Sequence, residues 1–279
     1  MDADLEKLLV DRFGEYPHPP KPGALTPLMA KVLGRRTHRS YTNEPVGEEL
    51  IDLLLAVALS ASSKSDFQQA SIIKLKDPQK RQRIGAHFPL MPWIAASPVF
   101  LVFCADARRL ERICTIRNHP QRNSDLEAFL NASVDAALAM QTFILAAESA
   151  GLACCPISVI RNQMTVVAHK LALPGGVFPV AGLCVGYPAS KGHVSMRLPP
   201  SITIHTDTYD DTALEAEIDA YDQRRAVRHA MKHDQQRNPK LFGYVDFYGW
   251  SEDKARQAAE PEGASFVRYL RSHGFSFES

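Results

Sequence analysis

The run from Ser124 to Gly151 restricts the fold more than any other stretch of the chain. Ser124-Asp125-Leu126-Glu127 has the form of a capping box, and Gly151 is the residue type that most readily takes the left-handed conformation ending a helix. A helix between them would be about 40 Å long at ~1.5 Å rise per residue. It is rich in alanine and apolar on nearly every side, with Phe129, Leu130, Val134, Leu138, Met140, Phe143, Ile144 and Leu145 spread around it. Such a helix must be covered all round. A 279-residue chain with few strands does not obviously supply that cover, so the helix predicts a homodimer.

The rest of the pattern is α+β. Ala70–Lys76, Pro98–Cys104, Leu152–Ser158 and Phe178–Tyr187 read as strands, and the apolar run 98–104 has the continuity of a strand buried on both faces. Thr26 caps a helix opening on Pro27, and Gly47 with Glu48 and Glu49 opens another through Ala58. Further helices are predicted from Asn162, from Thr212, from Ser251 and near Ala264. Strict alternation and a glycine fingerprint are missing, which argues against a doubly wound dinucleotide fold. The expected divisions are an arm over residues 1–25, whose prolines at 17–22 favour an extended connector, a core over 26–210 and a C-terminal helical extension over 211–279.

Charge narrows the partners. With 32 basic and 31 acidic residues the net charge is +1, so no general field draws nucleic acid or acidic membrane. No uncharged apolar run reaches spanning length, and neither a nucleic acid nor a membrane is an expected partner. Cys104, Cys114, Cys154, Cys155 and Cys184 are odd in number and lack metal spacing, and they read as reduced core thiols of a cytoplasmic protein.

Against that neutral background, Arg35-Arg36-Thr37-His38-Arg39 is dense in forked donors suited to phosphate or carboxylate oxygens. If extended, it sends Arg35, Thr37 and Arg39 to one side. A solvated basic turn is the competing reading. Ser60 to Gln69 is a polar loop whose hydroxyls can donate to a heteroaromatic ring or merely end a helix. His229 and His233 have i, i+4 spacing without the glutamate of a metalloprotease motif, and a solvated basic face suits them better.

The arginine cluster, the Ser loop ending in Gln68, Leu183-Cys-Val-Gly-Tyr-Pro188 and Arg197-Leu-Pro-Pro-Ser201 together resemble the FMN-dependent nitroreductase family, in its oxygen-insensitive NADPH nitroreductase and flavin reductase branch. The resemblance runs from about Leu28 to Tyr209. It implies a mixed sheet packed by helices in an intertwined homodimer, with FMN as cofactor and NADPH or NADH as electron donor. A small-molecule acceptor, a nitroaromatic, a quinone or free flavin, would be reduced by ping-pong hydride transfer through flavin N5, without a catalytic side chain. The alternative is a flavin carrier without nicotinamide-driven turnover.

By matching positions, the resemblance gives Arg35, Arg36 and Thr37 to the phosphate and ribityl chain and Arg39 to the cation beside N1 and O2. It gives Ser62, Ser63, Ser65 and Gln68 to the other subunit's flavin. Ile157, Ser158 and Val159 fall where backbone N–H groups meet N5 and O4, followed by Arg161, and Arg197 falls at the phosphate. Arg225 and Arg237 are candidates for the NADPH 2′-phosphate. Three departures stand out: Ser158 and Val159 replace a glycine pair, Ser195 replaces a lysine, and the Gly-Gly-Gln before the central strand is absent, His87 to Trp93 standing there instead.

Overall fold

The computed structural model describes residues 2–16, 25–123 and 125–275. In chain order the helices are α1 (Asp2–Phe13), α2 (Pro27–Leu33), α3 (Glu48–Leu59), α4 (Pro78–Gly85), α5 (Trp93–Ala96), α6 (Arg108–Ile116), α7 (Asp125–Ser149), α8 (Met164–Leu171), α9 (Leu214–His229), α10 (Pro239–Phe242), α11 (Trp250–Ala258) and α12 (Ala264–Ser272). The strands are β1 (Ala70–Lys74), β2 (Val99–Asp106), β3 (Ala153–Ile157) and β4 (Val177–Gly186). The chain divides into two compact units: residues 1–35 with 193–262, and residues 36–192 with 263–279.

The second unit holds the sheet, ordered β1-β2-β4-β3. All three pairings are antiparallel, so a parallel pairing, which a mixed sheet needs, does not occur among the described residues. Its faces follow from alternation. Leu101 and Phe103 of β2 pack with α3 and α7 through Leu54, Phe143 and Ile144, while Phe100, Val102 and Cys104 pack on the opposite side with Ile84, Ile94 and Val167. The unbroken apolar run is therefore buried on both faces, as expected. Gly182 is needed where β4 passes Phe100, because a Cβ there would lie 2.5 Å from the ring. Pro156 sits on the edge strand β3, where a missing N–H costs no ladder bond on the outer side.

Helix α7 lies against this sheet with small residues inward. Ala132, Ala136, Ala139 and Ala147 are buried, whereas Leu126, Leu130, Val134 and Leu138 are exposed. By length and composition Leu126–Ser149 is apolar enough to span a membrane, but it carries Glu127, Asp135 and Glu148, so it is not an uncharged run, and its inner face is core of the second unit. Gly151 ends it with φ of +84°, and the Ser124 half of the capping box lies outside the described residues, as do prolines 17, 19, 20 and 22.

The helix boundaries hold two corrections. Asn162 does not cap α8: it lies within a 3-10 turn, Ser158–Gln163, that runs directly into the helix. Thr212 lies just ahead of Ala213, the residue that precedes α9. Thr26 does cap α2, its hydroxyl accepting from Met29 N–H at 3.3 Å.

The first unit is organised by buried polar groups. Asp222 accepts from the N–H of Ser251 at 3.1 Å and from its hydroxyl, supplying from α9 the cap that α11 lacks locally. The Arg256 guanidinium donates to the carbonyls of Arg237 (3.1 Å) and Gly243 (2.7 Å) and lies over the rings of Phe242 and Tyr248. The aromatic stretch 242–250 thus wraps a buried cation.

Candidate functional site

In the second unit the Ser loop is shaped by a carboxylate that the apolar look of α7 conceals. Asp135 is buried and accepts from Ser63 Oγ (2.8 Å), Lys64 N (3.0 Å) and Gln69 N (2.9 Å). Those bonds hold a backbone that bends sharply, with Ser65, Asp66 and Gln68 at φ of 49°, 57° and 53°. Non-glycine residues there cost about 1–2 kcal/mol each and persist only when the surroundings fix them. Ser63 also accepts from Gln68 N at 2.7 Å, so its hydroxyl is occupied in building the loop. From the other side Arg109 donates to the carbonyls of Gln68 and Ala70, to Ser71 Oγ at 2.6 Å and to Asp106 at 3.0 Å. The result is an open cleft of about 900 Å³ whose lining includes Ser62, Ser63, Gln68, Ser71, Lys74 and Arg109. Ser65 is exposed and is not among its lining residues.

The part of the arginine cluster in this unit, from Arg36 on, joins no strand. His38 N donates to Cys154 O at 3.3 Å, and Tyr41 pairs with Pro188 and donates through its hydroxyl to His38 O at 2.8 Å. Burial, then the neighbouring thiols of Cys184, Cys155 and Cys154, push the Tyr41 phenol far above its ordinary value, so it stays a donor. Arg36 reaches Lys191 O at 3.4 Å through Nη1, but its Nε is buried with no hydrogen-bond partner among the described residues. A buried cationic N–H without an acceptor is costly, and an anion brought from outside would supply one. Arg39 is exposed and lies 5.6 Å from the Trp93 ring, whose own indole Nε1 is likewise buried and unpartnered. Trp93 comes from the segment that replaces Gly-Gly-Gln. Ile157 is buried at the end of β3, and Ser158 and Val159 open a helical turn whose first N–H groups have no partner inside it. Arg161 fixes that turn to β4 by donating to Val180 O at 2.6 Å.

In the first unit lie Arg35 and Arg197. Arg197 is exposed, and its N–H donates to Arg12 O at 2.7 Å. Arg225 donates to Met196 O (3.3 Å) and Tyr221 Oη (2.9 Å), while Arg237 pairs with Asp253 at 3.5 Å. Burial raises the Asp253 carboxyl, but bonds from Lys254 and Tyr248 outweigh it and leave the group below its ordinary value. His229 stands 4.8 Å from the His193 ring, and His233 stacks on Tyr244, so the two histidines make different contacts.

Sequence reasoning missed Asp135, Arg109, Arg12 and Trp93. Of these only Asp135 left a signal, as the acid in the middle of an apolar helix whose other acids lie near its ends. Comparison with known proteins identifies the class: residues 32–187 match the nitroreductase family and 195–278 that family's C-terminal domain, so the chain belongs to the nitroreductase family. The match reaches well past Tyr209, where the sequence resemblance ended.

Among curated relatives, an NAD(P)H FMN reductase of Bacillus subtilis is 35% identical over 201 residues, covering 71% of this chain and 80% of that protein. An oxygen-insensitive NADPH nitroreductase of Salmonella typhimurium is 30% identical over 253 residues, covering 90% and 99%. Among solved structures, NfrA2 of B. megaterium superposes with a TM-score of 0.82 at 30% identity, covering 91% of this chain and all of that one. The NADPH:FMN oxidoreductase of Vibrio harveyi complexed with NAD+ gives 0.77 at 27% identity, covering 90% and 99%.

Proposed function

We propose that this chain is an FMN-dependent NAD(P)H oxidoreductase that delivers electrons to nitroaromatics, quinones or free flavin. The observation that carries it is similarity, over most of their length, to relatives named as FMN reductases and NADPH nitroreductases. None of those relatives is named as a carrier, and the carrier alternative finds no support.

The donor set suits FMN. The buried, unpartnered Nε of Arg36 calls for an anionic acceptor such as a phosphate, and Arg35, Thr37 and Arg197 are the further donors we assign to the phosphate and ribityl chain. FMN, when bound, supplies the hydride-accepting ring. The protein's part is to hold and polarise it. Arg39, fixed over Trp93, places positive charge that favours added electrons. The turn at Ile157, Ser158 and Val159 offers main-chain donors, and Ser62, Ser63 and Gln68 line a second polar edge, while Ser65, which we assign with them, is exposed outside that lining. Because Ser63 is held by Asp135, its contribution is to fix Gln68 rather than to donate outward. Arg225 and Arg237 remain our candidates for the 2′-phosphate of NADPH.

We further propose a cytoplasmic homodimer. Leu126, Leu130, Val134 and Leu138 make an exposed i, i+4 stripe on α7, and Leu53 and Leu59 are exposed on α3. Apolar surface of this kind is what a second copy would cover. No disulfide joins the five cysteines, as suits a reducing compartment, and burial pushes the Cys104 and Cys184 thiols up to about 12, so they stay protonated. Titration of flavin-stripped protein with FMN tests the reading: saturable uptake at one FMN per chain is expected, and no uptake would overturn it.

A further inference from the structure

Helix α1 precedes both ranges matched to the family, yet it is built into the first unit. Leu5 and Leu9 are buried, and Arg228 of α9 donates to Val10 O at 2.8 Å. Its last turn carries Arg12, only 6% exposed. That guanidinium donates to Leu33 O through Nε (3.0 Å) and Nη2 (2.7 Å), to Arg35 O through Nη2 (2.6 Å), and to Ser195 O through Nη1 (2.8 Å). The Arg12 carbonyl in turn accepts from Arg197 N–H at 2.7 Å. Leu33 O is one of the carbonyls left without a partner at the end of α2, and a cation there also complements the helix dipole.

We propose that Arg12 is a positioning residue for the flavin phosphate: it fixes the main chain at Arg35 and at Ser195–Arg197, so that their two guanidinium groups are organised before the anion arrives. This rests on the reading of Arg35 and Arg197 as phosphate contacts. Arg12 itself is turned to main-chain carbonyls and is buried, so it acts through the residues it holds. Two like charges brought together repel, and two short segments left loose would have to be ordered at each binding event; a planar five-donor fork bridging both segments meets these costs during folding. A lysine, with one compact ammonium, cannot serve three carbonyls in the same geometry. The arm thus becomes a part of the cofactor site contributed from outside the family's matched ranges.

The test compares FMN with riboflavin, which lacks the phosphate, by fluorescence titration of flavin-stripped Arg12→Lys and Arg12→Gln. Positioning predicts at least a tenfold loss of FMN affinity with riboflavin affinity kept within twofold. Equal weakening of both flavins would mean a merely structural role, and no weakening of FMN would overturn the inference outright, provided Arg35→Ala and Arg197→Ala do lose FMN. If those two variants bind FMN like the unmodified protein, the phosphate reading itself falls and the inference with it. Should the Arg12 variants fail to fold, hydrogen exchange on the unmodified protein decides: the Arg197 amide, bonded to Arg12, should exchange more slowly with FMN than with riboflavin. Equal protection by the two flavins would overturn the proposal.

Discussion

Arg36 is one of the residues whose hydrogen bonding is incomplete among the described residues. Its Nη1 has only a long contact to Lys191 O and its buried Nε has none among the described residues. A charge-assisted phosphate contact contributes about 1.5–3 kcal/mol, so Arg36→Ala should weaken FMN roughly ten- to a hundredfold in a fluorescence titration. An affinity within twofold of the unmodified protein would put the phosphate elsewhere. Asp135 answers a different question. Replacing it by Ala strands two main-chain donors and the Ser63 hydroxyl in a loop with three left-handed residues. A loss of about 3 kcal/mol in denaturant unfolding is expected, and a neutral effect would show that the loop is held by Arg109 alone. The arginine cluster was legible because its charges are adjacent in sequence. Arg12 and Arg109 were not, because what they do depends on carbonyls that only the fold brings to them.

At the scale of elements, legibility followed burial. Strands β2 and β4 and the length of α7 showed in their apolar runs, but α4, in which only Ile84 and Gly85 are buried, and α6, whose stripe of Leu110, Ile113 and Ile116 is not buried, went unread. The sides of α7 were also hidden, since alanine and leucine are equally apolar while alanine alone permits close approach to the sheet. The leucines it turns outward lead to the prediction that Leu138→Glu yields monomers without FMN by sedimentation and absorbance, because a carboxylate buried between copies is costly. A yellow, folded monomer would contradict it. On α9, burial, then His193, Arg225 and Arg228 hold His229 below its ordinary 6.5, against a weaker opposing bond with Val194. Folding therefore favours the neutral ring, and the unfolded chain takes up the proton first. This stabilisation is complete above about pH 6.5 and is lost as pH falls through the depressed folded value. His229→Gln should flatten the acid side of a melting temperature against pH curve; an unchanged slope would assign the acid loss to other groups.

For the whole molecule, the family matches fall on residues of both units and include the C-terminal third, whose helices from Thr212, from Ser251 and near Ala264 were legible while its role was not. Its polar composition offered little periodicity, and its buried contacts, Asp222 to Ser251 and Arg256 to the 242–250 aromatics, are polar ones that hydropathy does not reveal. The central claim is that nicotinamide-derived electrons pass through protein-bound FMN to an external acceptor. It is tested most directly by adding NADPH, and separately NADH, anaerobically to the FMN-loaded protein while following the yellow absorbance, then admitting a quinone. Rapid bleaching by at least one nicotinamide, followed by return of the colour on quinone addition, is the predicted result. A protein that binds FMN but is bleached by neither would contradict the account.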